Sequence, residues 1–242
     1  MDEQITRLVD KLQTADKVSE LQPGSRYLVA ISGIPGSGKT TLALAITARL
    51  NASHAASNPS SSPLAVYVPM DGFHLTRAQL SAMPNAIEAH ERRGAPWTFD
   101  PQKLLDFVRA MKDPSPGTVF GPSFDHALKD PVEDDVKVDE SARVVVLEGL
   151  YLSLRGGVWG EVGAEMDERW FVDVEREVAT ARVVERHVRS GVCASREEAV
   201  ERATGSDALN AEEILGVRRE VEEVIRSVQD EKWAGLNADD DE

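Results

Sequence analysis

The sequence predicts an α/β fold, a three-layer α/β/α sandwich on a mainly parallel sheet of about five strands, carrying a helical lid. Three observations predict it. Apolar runs alternate with helix-patterned segments along the chain, the order that a parallel sheet with crossover helices requires. The strongest runs are continuously apolar, such as Val144–Leu147, which fits strands buried on both faces. A glycine-rich turn joins the first strand to the helix after it, the connection at which such sheets bind ligands beyond their strand ends.

In chain order, Ile5, Leu8, Val9 and Leu12 recur at helical spacing and predict a leading amphipathic helix packed on the sheet. Pro23 and Gly24 end it. Tyr27–Ile31 is the first strand, and a helix runs from Lys39 to about Leu50. Residues 51–63 (NASHAASNPSSSP) lack large apolar groups and read as a flexible internal linker. Leu64–Met70 is the second strand, ending at Asp71. A polar helical stretch covers Ala86–Arg93, and Pro101 opens a helix over Gln102–Met111. Thr118–His126 reads as a short strand and a turn, and Pro131–Glu140 as an acidic surface loop. Arg143–Leu147 is the third strong strand, ending at Glu148, and Trp170–Val174 is another. A charged helix over Arg176–Ser190 is stopped by Gly191. Two further helices are predicted, Ser195–Thr204, opened by a capping-box pair of Ser195 and Glu198, and Ala211–Gln229. No internal repeat breaks this order, so 1–242 reads as one domain.

Composition excludes several classes of function. The formal net charge of −15 argues against a nucleic acid or an anionic membrane as partner, because both require clustered positive charge. Residues 237–242, closing on Asp239, Asp240, Asp241 and Glu242, read as a solvated acidic tail. The single cysteine, Cys193, allows no internal disulfide and fits a reducing compartment. With no apolar run of membrane length and no targeting pattern at the start, a cytoplasmic location is expected.

The chemistry concentrates in Tyr27–Leu44 (YLVAISGIPGSGKTTLAL). Gly33, Gly38, Lys39 and Thr40 fill the fixed positions of the phosphate-binding pattern G-x-x-x-x-G-K-[ST], with Gly36 between them. Ile34, Pro35, Ser37 and Thr41 complete the loop. Glycines let the backbone turn its N–H groups onto phosphate oxygens, and the helix N-terminus adds partial positive charge. Lys39 then serves the β- and γ-phosphates, and the Thr40 hydroxyl a Mg²⁺ ion. If the first three strands are parallel neighbours, Asp71 and Glu148 share the sheet edge of the phosphates. Asp71 becomes the candidate base toward an acceptor hydroxyl, and Glu148 the candidate support for Mg²⁺ or its waters.

Arg182, Arg186 and Arg189 lie three or four apart on one helical face, either a phosphate-facing lid or an ordinary solvated face. Arg92 and Arg93 precede a stiff loop that could grip a polar substrate. Phe73, Trp97, Phe99 and Phe124 suit either the core or the wall of a pocket for a flat ring. His74 and His126 lack zinc-ligand spacing but lie in candidate site loops, as substrate contacts.

Taken together, the segments GIPGSGKTT (33–41), MDGFH (70–74), RRGAPWTFD (92–100), PSFDHALKDP (122–131), VVVLEGLYL (144–152) and 182–214 carry a resemblance. The chain resembles the P-loop kinases of the uridine kinase, phosphoribulokinase and pantothenate kinase superfamily, nearest to the small uridine-kinase-like or fructose-transport-kinase-like proteins. The resemblance implies a P-loop NTPase fold, a substrate-side region at about 72–140 and a lid at about 176–205. It implies ATP and Mg²⁺, Asp71 as the base, Glu148 placing the metal, and Arg182 and Arg186 embracing the ATP phosphates. The segment around Phe124, Asp125 and His126 matches a substrate-side hairpin, and Arg93 a substrate-binding region, with Phe73 and His74 beside Asp71. Uridine kinases show Asp-Ser-Phe-Tyr where this chain has Asp71-Gly72-Phe73-His74, while the Asp-Gly-Phe and Arg-Gly-x-Pro forms look more like pantothenate kinase.

The expected activity is transfer of the ATP γ-phosphate to a hydroxyl of a nucleoside-like metabolite, uridine, cytidine or another ribosyl compound, with pantothenate or a sugar as alternative acceptors. The competing class is a P-loop ATPase or switch acting on a protein partner, although the guanine-reading Asn-Lys-x-Asp motif is absent. A homodimer is compatible with either.

Overall fold

Tyr27–Gly33 is buried at every residue because it forms β1, the centre of a five-stranded sheet. The computed structural model describes residues 1–14, 18, 20–22, 24–115 and 117–229. Before β1 lies α1 (Asp2–Thr14), and after it come α2 (Lys39–Ser57) and β2 (Ala65–Pro69). A 3-10 turn (Met70–Phe73) leads to α3 (Arg77–Ser81), α4 (Ala86–Glu91) and α5 (Pro101–Lys112). The hairpin β3 (Val119–Asp125) and β4 (Asp130–Val138) precedes β5 (Val144–Gly149), α6 (Gly157–Glu165) and β6 (Glu168–Asp173). Then follow α7 (Arg176–Arg189), α8 (Arg196–Thr204), α9 (Ser206–Val217) and β7 (Glu223–Arg226). The sheet order is β2–β5–β1–β6–β7, and every neighbouring pair is parallel.

Successive β1 side chains point to opposite faces, so one strand feeds two cores. Leu28 and Ala30 join Val145, Leu147 and Phe171 beneath α5 and α6. Tyr27, Val29 and Ile31 join Val144, Val146, Trp170 and Val172 beneath α1 and α2. Three layers result, as expected. Ile5, Leu8, Val9 and Leu12 of α1 are buried in the second core, each worth about 1.5–3 kcal/mol. A third small cluster, Val183, Val184, Cys193, Ala199 and Ala203, holds α7 and α8 together. Among the described residues no helix is long and apolar enough to cross a membrane.

The structure corrects three readings and adds one element. Residues 51–57 are not linker but the last turns of α2; alanines sustain the helix, and Asn51 ties it to β2 through both Ala65 backbone groups, at 2.8 and 2.9 Å. Pro131–Glu140 is mostly β4, not loop; its acidic side chains stay outward while the backbone pairs with β3. The predicted helix Ala211–Gln229 divides at Val217 into α9 and the edge strand β7, because Ile225 is wholly buried beside β6. Helix α6 was not predicted: its buried residues are only Trp159, Val162 and Gly163, too few to set a helical period. At α8 the capping box is half formed. Ser195 Oγ accepts from the Glu198 N–H at 3.1 Å, but the Glu198 carboxylate accepts from Ala194 N–H instead. The predicted tail at 237–242 lies outside the described residues.

Candidate active site

β1 ends in the glycine loop, and α2 begins at Lys39. Gly36 and Gly38 take φ of +78° and +87°, the left-handed region that favours glycine. At Gly36 there is a second reason: a Cβ would stand 2.3 Å from the Ala179 carbonyl oxygen of α7, so α7 packs directly on the loop. Within the loop Ser37 Oγ is buried with no hydrogen-bond partner among the described residues, and a phosphate oxygen suits it.

β5 lies between β1 and β2, so Glu148 and the residue after β2 both reach the loop's edge of the sheet. The Lys39 ammonium is 3.6 Å from the Glu148 carboxylate. Thr40 Oγ1 and the Tyr67 hydroxyl donate to Glu148 Oε2 at 3.2 and 3.0 Å. Burial pushes the Glu148 carboxyl above its ordinary range; Lys39 draws it back, the nearby Asp71 charge pushes it further, and the two hydroxyls favour the anion. Two oxygen donors from Thr40 and Glu148, one charged, fit Mg²⁺.

Asp71 sits in the 3-10 turn after β2. The neighbouring Gly72 is there for space: a Cβ would come 1.9 Å from the Pro122 carbonyl oxygen of β3. That contact explains Asp-Gly-Phe-His in this chain, since a serine would collide with the hairpin. The Asp71 carboxylate makes no hydrogen bond or ion pair with a described residue. His74 Nδ1 lies 2.8 Å from the Asp71 carbonyl oxygen, and the ring stacks on Phe99 at 3.8 Å and meets Phe124 at 5.0 Å. Burial lowers the His74 pKa; Arg93 and His126 add to this and Asp71 opposes it. Phe124 and His126 make an edge contact at 5.3 Å.

Two substrate-side expectations change. Phe73 is 1% exposed and packs on Phe107 in the core, so it presents no surface to a ligand. Arg93 is engaged by the hairpin: it donates to Lys129 O, Leu75 O and Asp130 Oδ1 at 2.5, 2.9 and 3.0 Å and lies over the Phe124 ring. It holds the β3–β4 hairpin in place.

The two arginines of α7 expected at the ATP phosphates part company. Arg182 NH1 donates to the Gly36 carbonyl at 3.3 Å and to Ser227 Oγ at 2.9 Å, while its Nε and NH2 donate to Gln229 Oε1. Arg186, one turn on, is exposed and makes no side-chain hydrogen bond or ion pair with a described residue. Sequence reasoning missed Tyr67, Tyr151, Asn210, Ser227 and Gln229. Tyr67 had a signal in hindsight, its place on β2 two residues before Pro69, which pairs with Glu148. The others are brought in by packing alone.

Fold and site together are those of a nucleoside-triphosphate-dependent P-loop enzyme, with the phosphate loop, Glu148 and Asp71 on one sheet edge. The chain belongs to the phosphoribulokinase/uridine kinase family, whose model matches residues 28–196. It is 47% identical over 174 residues to the "ATP-dependent kinase-like protein notR'" of Aspergillus versicolor, covering 70% of this chain and 98% of that protein. It is 40% identical over 193 residues to "Putative uridine kinase C227.14" of Schizosaccharomyces pombe, covering 80% of each. A crystal structure from Silicibacter sp. TM1040, described as a "putative fructose transport system kinase", superposes with a TM-score of 0.77 at 32% identity, over 91% of this chain and 98% of that one. The protein is a kinase of this family.

Proposed function

We propose that this kinase transfers the γ-phosphate of ATP to an alcohol group of a nucleoside-like metabolite, uridine, cytidine or another ribosyl compound, with pantothenate or a sugar as the alternative. One observation carries the reading. The Asp71 carboxylate has no partner among the described residues, yet its charge is felt at Glu148 and at His74. An unengaged carboxylate beside the phosphate loop is what a base toward an alcohol requires. The half-buried His74 and Phe124 rings, His74 backed by the core residue Phe99, offer an aromatic wall suited to a flat ring.

In this reading the loop N–H groups and Lys39 hold the phosphates, and Arg182 joins them from the lid. Thr40 and Glu148 would hold Mg²⁺, which when bound supplies positive charge against the phosphates. Asp71 accepts the acceptor hydroxyl's proton as that oxygen attacks phosphorus, and α7 shields the site from water. The reading places the reaction in the cytoplasm, on a free small molecule.

ADP formation is measured with uridine, cytidine, nicotinamide riboside, pantothenate and simple sugars. Turnover stimulated by one of these and lost in Asp71→Asn is the expected result. Hydrolysis indifferent to every acceptor but stimulated by a protein would transfer the chain to the ATPase class.

A further inference from the structure

β7 is an edge strand of four residues, and among the described strands its neighbour is β6. An edge leaves its outer backbone groups to find partners of their own. Here α1 supplies them. Gln4 Nε2 donates to the Arg226 carbonyl at 3.0 Å, and Gln4 Oε1 accepts from the Arg226 N–H at 3.2 Å. The Gln4 amide thus pairs with Arg226 as a further strand would. At the other end of β7, Arg7 and Lys11 of α1 hold the Glu223 carboxylate, one oxygen each, both at 2.9 Å. Lys11 also reaches Glu168 of β6 at 2.7 Å. Between these anchors Ile225 joins Ile5, Leu8, Val9 and Leu12 of α1 in one core.

The chain leaving β7 runs over the phosphate loop. The Ser227 N–H donates to the Asp173 carbonyl at 2.8 Å, which extends the pairing with β6 by one residue. Ser227 Oγ accepts from Arg182 NH1 at 2.9 Å, and Gln229 Oε1 accepts from Arg182 Nε and NH2 at 3.3 and 3.0 Å. A Cβ on Gly38 would stand 3.7 Å from Ser227 Oγ and 4.0 Å from Arg182 NH1, so both side chains lie against the loop. Of the three oxygens that hold the Arg182 guanidinium, only the Gly36 carbonyl belongs to the loop; the other two come from the segment after β7. An arginine fixed in this way has already given up the rotamer freedom that a loose one loses on gripping phosphate. Ser227 is the residue after Arg226, so slack at the Gln4 contact is felt first at the Arg182 contact.

We propose that α1 sets the aim of Arg182: Gln4, with Arg7 and Lys11, anchors β7 at both ends and so places Ser227 and Gln229 to hold that guanidinium over the phosphate loop. Gln4, Ser227 and Gln229 are positioning residues that act through Arg182. The proposal rests on the reading of Arg182 as a group that serves the ATP phosphates. It makes the first helix a determinant of nucleotide affinity, beyond the stability that its buried face gives the sheet.

The test is calorimetric titration of the full chain with a non-hydrolysable ATP analogue and Mg²⁺, which needs no acceptor. Gln4→Ala is expected to weaken binding by about threefold to thirtyfold. In an Arg182→Ala background the same substitution should cost nothing further, because its effect runs through that guanidinium. Glu223→Gln loosens the opposite end of β7 and should give a loss of the same kind, a second reading should Gln4→Ala fold poorly. Ser227→Ala leaves α1 and β7 intact and should also weaken binding only while Arg182 is present. Thr6→Ala controls for stability alone: Thr6 Oγ1 accepts from Arg49 NH1 of α2 at 2.9 Å, away from β7, and this variant should bind as the wild type does. Wild-type affinity in both Gln4→Ala and Glu223→Gln, losses that add to that of Arg182→Ala, or an equal loss in Thr6→Ala overturns the proposal. Weak binding in Arg182→Ala beside unaffected α1 and β7 variants removes the proposal and leaves the reading of Arg182 standing. Wild-type binding in Arg182→Ala removes that reading, and the proposal with it.

Discussion

The Lys39 ammonium stands 3.6 Å from the Glu148 carboxylate, with side-chain exposures of only 9% and 8%. The pair ties the phosphate loop on β1 to the end of β5. Even so, desolvation dominates, and the Glu148 carboxyl is raised above its ordinary value.

That direction has a consequence for stability against pH. A raised carboxyl means the folded chain binds the proton more tightly than the unfolded chain. Its stabilising contribution is complete below the ordinary carboxylate range and is lost as pH rises through the raised value. Glu148→Gln removes the titration. The melting temperature of the ligand-free variant, minus that of the wild type, should therefore climb as the pH rises from the ordinary carboxylate range through the raised value. A flat difference across that interval would contradict the account of a strained carboxylate.

Asp71→Asn keeps the turn and its hydrogen bond to His74, which uses the backbone carbonyl. Nucleotide binding should be unchanged, while turnover with an acceptor falls by about 10²–10⁴. Turnover within a few-fold of wild type would take Asp71 out of the base's role.

Gly72→Ala places a Cβ against the Pro122 carbonyl, where the distance would be 1.9 Å without movement. The hairpin must shift, at a cost of about 2 kcal/mol or more. Denaturant unfolding reads this directly, and a loss under about 0.5 kcal/mol would show that the turn and hairpin are not rigidly apposed.

Arg182→Ala and Arg186→Ala should separate. Arg182 touches the phosphate loop and the segment after β7, so its loss raises KM for ATP and lowers kcat together, by about tenfold or more. Arg186 has no such contact, and its substitution should cost less. Equal losses would mean that the lid moves to bring both onto the phosphates when ATP is bound.

The loop was readable from residues 33–41 because its function depends on local backbone geometry, which glycine, lysine and threonine announce in sequence. Asp71 and Glu148 were readable for a related reason: each ends an apolar run, and parallel strands put their ends on one edge. Arg93 and Phe73 misled because a charge or a ring in a site loop says nothing about what it faces. β7 was hidden because its four residues, EVIR, carry too little pattern to outweigh the helical run before them.

By itself, then, the amino-acid order determined the layered α/β architecture, the phosphate loop and the two strand-end carboxylates, since each follows from hydrophobic period or local conformation. The tertiary structure decided that Arg182 and not Arg186 touches the loop, and that Arg93 is held by a hairpin. Those outcomes depend on contacts between segments tens of residues apart, and no local interaction encodes them.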